Sequence, residues 1–487
     1  RMMEVRYGPW LPEVTDYKNP GLEECRNAIP SPSGYIPALA NVATSTTVSG
    51  TIVGARGLER SDGTSVIIVV TTSDIYTIVA TTANASSLSL SLDVSNPATI
   101  EQFGSEVYAT TKEGVWKLDD IESDTTFAAA SNTPYAKSMG TVDDFLVMGN
   151  LTDIDASDAP YRLRWSQFNN PGGDWATDIA TQAGAVDLDA SQGPIEAISG
   201  GTIGFIFQKF GISRIVYNGT ASVFDLELYE KDRGCAAPQS VVRVGDRAFF
   251  LSFDGFFETD GASVLSISRN RIWQWFVENV DQGLIKHVQG SLDWEKRCVV
   301  WAVPTGTTSA RTSQLWYNWE TESWSHVDVD SDFLVSRSRT GLTLEQVGAL
   351  YPNIDTMPLS LDSDTFKASG RTMSAFVSGA LTTTTGATLE AEFIGGDLQP
   401  YVGKRTFVRS VTPLVESETQ GTQVALLYRD VMSRSQSATD LETVGPAGFA
   451  AMARDARYFA VRVVMPAGDN WGEAYGYQID YTEAGWT

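Results

Sequence analysis

The chain of 487 residues is 42% apolar or aromatic and 20% charged, which excludes an intrinsically disordered polymer and asks for two or three domains or one large repetitive one. Its 60 acidic residues outweigh 35 basic ones, giving a formal charge of -25, and no lysine or arginine block breaks the surplus. That balance argues against tight binding of DNA or RNA, which gains affinity by neutralising phosphates, although surplus acid also serves solubility.

Residues 1–50 carry prolines from Pro9 to Pro37 with Trp10, Leu11, Tyr17, Tyr35 and Ile36 spaced among them, and no periodic apolar pattern. They are expected to form an extended arm that wraps its own domain or docks to a neighbouring subunit, with Cys25 as a small buried residue.

Over 51–361 one device recurs: a short apolar strand, a tight turn and a second apolar strand. SVIIVV pairs with IYTIVA near Asp74, EVYATT with VWKL near Glu113, and FLVMGN with YRLRW around Asp155. Phe205-Ile206-Phe207 meets Ile212 to Tyr217 across Phe210-Gly211, and Ala248 to Leu251 meets Phe256-Phe257 across Asp254-Gly255. RCVVWAV and QLWYNW follow around Gly306, and DFLVSRS with LEQVGALY (344–351) makes a further pair. The spacing matches the ~40–50 residues of a four-stranded propeller blade. The expected fold is therefore all-β, with a β-propeller of about six or seven blades; a large β-sandwich, or several stacked, shares the same turn spacing. Helix signals are confined to 269–281, where Ile272, Phe276 and Val280 fall on one face and Ser268 is placed to cap.

From 362 the text changes to Ser/Thr/Gly tracts, notably 378–388, between strands near 389–393, 405–415, 424–428, 458–464 and 475–481. Residues 362–487 are expected to be a separate antiparallel β-sandwich or platform domain.

Signs of chemistry are few. Cys25, Cys235 and Cys298 lie far apart and suit neither a disulfide framework nor a CxxC metal site, and His287 and His326 are the only histidines. The acidic run 153–158 lacks the spacing of a calcium loop, as does 328–332, so solvated turns are expected there. Ser252 to Phe256 resembles the structural aspartate-box turn of sialidase propellers, without their arginine cluster. Gly200 to Gly204 lacks the helix and lysine of a phosphate loop. No catalytic residue, cofactor or metal site is expected. Trp273, Trp275, Trp294, Trp301, Trp316, Trp319 and Trp324 could stack on sugar rings, but their spacing fits core packing between blades. The residues expected to matter are the turn glycines Gly211, Gly255 and Gly261. Apolar runs such as Val66–Val70 are far too short to span a membrane, and no charged-then-apolar leader opens the sequence, which suggests assembly inside the producing cell.

The ordered series Tyr217-Asn218-Gly219, Gly234-Cys235, Pro238, Ser240 to Val242, Gly245 to Ser252, Asp254 to Gly261 and Ile272-Trp273 resembles the tail nozzle proteins of short-tailed bacteriophages, also called packaged-DNA-stabilisation or head-completion proteins. The similarity extends upstream to Arg162 to Ser166 and Asn170 to Trp175, and more weakly to the strands near 458–464 and 475–481. The resemblance implies a non-enzymatic virion component. It would assemble as a homohexamer, contact portal or adaptor ring proteins and tail fibres or spikes, and pass double-stranded DNA without gripping it. The alternative is a glycan-binding or glycan-hydrolysing propeller of a tail or secreted protein.

Overall fold

The computed structural model describes residues 1–17, 19–338, 371–417 and 421–485. Among the described residues the chain is nearly all β, in six four-stranded sheets, one ten-stranded sheet and one six-stranded sheet. The four-stranded sheets are antiparallel meanders. Sheet I begins with Ile52–Glu59, II with Thr99–Phe103, III with Tyr135–Val142, IV with Ile195–Ser199 and V with Val242–Val244. Sheet VI is the part of the ten-stranded sheet formed by Gln289–Asp293, Cys298–Val303, Ser313–Asn318 and Ser323–Val327. Sheet VII joins Phe333–Ser338, Arg371–Val377 and Ala380–Thr388 to Leu39–Ala43 from the N-terminal region.

The near-continuous apolar runs at the second strand of each meander follow from burial of both faces. In Ser65–Thr71, Val66, Ile68 and Val70 pack toward sheet II, while Ile67 and Val69 pack toward sheet VII. In Cys298–Val303, Val299, Trp301 and Val303 face sheet V, while Cys298, Val300 and Ala302 face sheet VII. Similar buried clusters join II to III, III to IV and IV to V, so the sheets form a propeller-like, closed succession in which VII packs back on I.

Residues 1–50 pair with distant strands of the same chain. Met2–Arg6 and Tyr35–Pro37 pair with Trp471–Glu483, Leu22–Arg26 lies between Ser323–Val327 and Ala391–Gly395, and Leu39–Ala43 completes sheet VII. The prolines sit between or at the ends of these short strands, where a missing N–H costs little. Strands Arg371–Val377 and Ala380–Thr388 lie beyond position 361, where the C-terminal unit was expected to begin, yet they pair with Phe333–Ser338. The threonine tract 382–385, which resembles a linker by composition, is strand because β-branched residues suit a pleated surface. LEQVGALY, expected to pair in this sheet, lies outside the described residues.

The remaining strands form two facing sheets that share a core of Val408, Val411, Val424, Leu426, Phe459, Val461, Tyr477 and Ile479. The expected helix is present but shorter, at Trp273–Asn279, and buries Ile272, Phe276 and Val280. Ser268 does not cap it; the Ser268 hydroxyl accepts the Phe256 N–H at 2.8 Å and closes the end of sheet V instead.

Candidate functional site

The first strands of all seven meanders line an axial channel of about 590 Å³. Polar side chains along it tie neighbouring sheets together. The Gln289 amide donates to Leu334 O at 3.0 Å and accepts from Leu334 N at 2.7 Å, joining VI to VII. The Ser138 hydroxyl accepts the Ile198 N–H at 2.7 Å between III and IV. Arg56 donates to Ile100 O at 2.6 Å and pairs with Glu101, whose carboxyl is pushed up by burial against the opposing pull of that arginine. Arg243 lies 4.4 Å from the Phe205 ring centroid and donates to Ile203 O at 3.0 Å. At one end Gln239, which precedes sheet V, reaches Val53 O of sheet I at 2.7 Å. These polar groups are committed to holding strands together, and the channel is bridged at that end by a side chain.

Glycine permits this close approach. A Cβ on Gly57 would lie 2.1 Å from Ser336 O, on Gly54 2.5 Å from Ala98 O, on Gly200 2.2 Å from Thr141 O and on Gly290 2.6 Å from Val242 Cγ2. All four lie in or beside the first strands of the meanders, and sequence reasoning that weighted turns passed over them. Their signal is a glycine at the opening of successive modules.

The three turn glycines have different jobs. Gly255 has φ 152° and Gly261 φ 85°, conformations that side chains oppose. Gly211 has no positive φ; there a Cβ would meet Gln192 Oε1 at 2.5 Å, so crowding is the restriction. Gly255→Val is expected to destabilise the protein by about 2 kcal/mol through backbone strain, read as a lowered melting temperature by calorimetry.

The acidic run at 153–158 is anchored internally. Asp153 accepts from Arg164 Nη2 at 2.9 Å and Arg162 Nη1 at 3.1 Å, and these contacts lower its carboxyl pKa despite burial. In the aspartate-box-like turn, Asp254 pairs with Arg233 at 3.3 Å. Trp301, Trp316 and Trp324 are buried, whereas Trp294 is 40% exposed and meets Trp319 edge-on at 5.7 Å. Cys25, Cys235 and Cys298 are free and buried.

A second polar centre marks the splice between sheet VI and the C-terminal strands. His326 is paired with Arg26 in a parallel register and lies between the rings of Trp10 and Trp275, at 5.0 and 5.1 Å. Its Nε2 contacts Glu24, and its Nδ1 is 3.6 Å from Asp328. Arg26 in turn binds Glu390 at 2.8 Å and Glu392 at 3.0 Å. Nothing in the spacing of Glu24, Asp328 and Glu390 announces this cluster, because pairing of three distant strands assembles it.

No protein-family model matches the sequence. No curated protein matches it. The structure is similar to the extracellular domain of a hybrid two component system from B. thetaiotaomicron, over 82% of this chain and 47% of that one, at 8% identity and a TM-score of 0.39. It is similar to BBS1N, solved in complex with ARL6DN, over 71% and 96% of the two chains at 9% identity and a TM-score of 0.39. It is also similar to the Neurospora crassa Pan2 WD40 domain, over 64% and 91% at 4% identity and a TM-score of 0.37. The chain spans less than half the length of the first of these, and likenesses at this level carry no weight for fold or activity.

Proposed function

We propose that the seven meanders are the blades of one seven-bladed β-propeller, closed by the N-terminal strand Leu39–Ala43, and that the two facing C-terminal sheets form a β-sandwich. We further propose that the chain is a structural, non-catalytic tail nozzle subunit of a short-tailed bacteriophage. In this role a homohexameric ring extends the DNA channel below the portal or adaptor, meets fibres or spikes at its side, and retains and then conducts the packaged genome.

The observation that carries this reading is the ten-stranded sheet. Its strands run without a break from sheet VI through Leu22–Arg26 into the C-terminal strands Ala391–Gly395, Tyr458–Met465 and Gln423–Arg429. The join rests on one parallel pair, Arg26 with His326, on the sheet VI side and on an antiparallel ladder with Ala391–Gly395 on the other, and it limits hinge motion between the two halves, which suits a wall segment under load. The bridged axis implies that DNA would pass through the centre of a subunit ring and not through the propeller. A charge of -25 per subunit favours passage without adhesion.

The purified protein is expected to form closed six-membered rings in negative-stain images and to have a hexamer mass by light scattering. Duplex DNA should show no measurable affinity at physiological salt. A persistent monomer, or tight DNA binding, would refute the assignment. The glycan-binding alternative rests on the exposed Trp294 beside Trp319; it predicts sugar binding that Trp294→Ala abolishes.

A further inference from the structure

The end of the axial channel bridged by Gln239 opens into a cavity of about 330 Å³. This is the size of a small-molecule site. Lys137, Lys209, Lys286 and Arg311 line it, with Glu196 as the only carboxylate among the lining residues. In a chain with 60 acids to 35 bases, four cations to one acid is a local reversal of sign.

Only one of those cations is neutralised. Lys137 pairs with Glu196. The Lys209 ammonium lies 5.3 Å from the Phe210 ring centroid and forms no ion pair among the described residues; Lys286 forms none either. Arg311 donates from Nε to His287 O at 2.7 Å and from Nη1 to Asp332 O, both backbone carbonyls. Its guanidinium pKa is pushed down to about 10 by burial, with the Asp332 charge opposing. Two acids act on these cations at longer range: Asp93, which accepts the Ser95 N–H at 2.8 Å, interacts with Lys286, and Asp332, which accepts the Gly379 N–H at 2.8 Å, interacts with Arg311. His287, held below its ordinary pKa first by burial and then by Lys286 and Arg311, is neutral near pH 7 and adds no positive charge.

A desolvated guanidinium that makes no close ion pair, with the Asp332 carboxylate acting on it only at longer range, is stabilised by a further anion. The remaining N–H groups of the Arg311 guanidinium, beside two ammonium groups, suit the several oxygens of a phosphate or carboxylate. Ile52, Val94 and Phe253 add apolar surface to the lining.

We propose that this propeller mouth binds a small multivalent oxyanion, phosphate or carboxylate in kind, between Lys209, Lys286 and Arg311. The site goes beyond the structural role proposed above and does not depend on it, since a nozzle requires no ligand.

The test measures thermal shift and calorimetric binding of the full chain with pyrophosphate, inorganic phosphate and citrate, against sodium chloride at matched ionic strength. Saturable binding is expected to weaken at least about tenfold in Lys286→Gln and in Lys209→Gln, by analogy with the loss of a charge-assisted contact. Lys231→Gln, which removes a cation outside the cavity, should bind as the unaltered chain does. Arg311→Lys keeps the charge but loses the fork, and should weaken binding of pyrophosphate. Preference for pyrophosphate over citrate assigns the source to phosphate, and the reverse order to carboxylate. Absence of saturable binding, or equal binding by Lys286→Gln, Lys209→Gln and Lys231→Gln, overturns the proposal.

Discussion

Gly57→Val is expected to leave the first and last sheets unable to close on each other, with a loss of about 3 kcal/mol or more, because relief requires backbone movement in a packed core. A Cβ at this position would fall 2.1 Å from Ser336 O and 3.1 Å from Arg337 Cα, so no rotation of a neighbouring side chain relieves the clash. Phe333–Ser338 itself is held by Arg371–Val377 on its other side and by the Gln289 amide at Leu334. Urea unfolding should therefore show a sharply lowered midpoint. Gly172→Ala is the control, since its nearest neighbour, the Tyr108 hydroxyl, is 3.8 Å away and its φ is not positive; it should change stability by less than about 0.5 kcal/mol. Equal midpoints for Gly57→Val and the unaltered chain would show that the sheets are not closed in this way.

Raising the pH from about 7 to about 10 is expected to loosen the splice between sheet VI and the C-terminal strands. Burial by itself lowers the His326 pKa, but Asp328 and Glu24 outweigh it and set a value of about 9. A histidine whose folded pKa exceeds its ordinary value of 6.5 contributes its full stabilisation below 6.5 and loses it as the pH rises through 9. The difference corresponds to about 3 kcal/mol. Glu23, on the strand Leu22–Arg26 that also carries Glu24, acts in the same direction for a different reason. Burial, followed by the charges of Asp16 and Asp397, raises its carboxyl to about 8 against the pull of Arg429. Its charged form is therefore disfavoured in the fold, and the penalty grows as the pH climbs from the carboxylate range through 8. Unfolding free energy measured across this window should fall steeply for the unaltered chain and more gently for His326→Gln, with Glu23→Gln removing a further part of the slope. Parallel pH profiles for all three proteins would contradict the assignment. Emission from Trp10 and Trp275, which flank His326, should shift over the same window.

How far the strands could be read before the structure depended on whether their pattern was local. The hairpins at Phe205 to Tyr217 and Ala248 to Thr259 were legible because β-branched and aromatic runs meet at glycine turns, and those strands are observed. Ala380–Thr388 was hidden because a threonine tract has the composition of a linker, and its partner Leu39–Ala43 is remote in sequence. The N-terminal strands were hidden for a related reason: each is only three to five residues long and contributes to a sheet built mostly by distant chain. Gly57 could be seen as a glycine in a strand, but not as the contact point with Ser336.

The amino-acid sequence by itself determined the all-β character, the recurring strand-turn-strand device and the excess of negative charge, since each follows from residue type and spacing within a few tens of residues. Tertiary structure decided that Leu22–Arg26 stitches two sheets together, that Glu24 and Asp328 flank His326, and that lysines remote in sequence converge with Arg311 on one cavity. Those groupings are products of long-range strand pairing and sheet packing, which bring together charges that no local pattern relates.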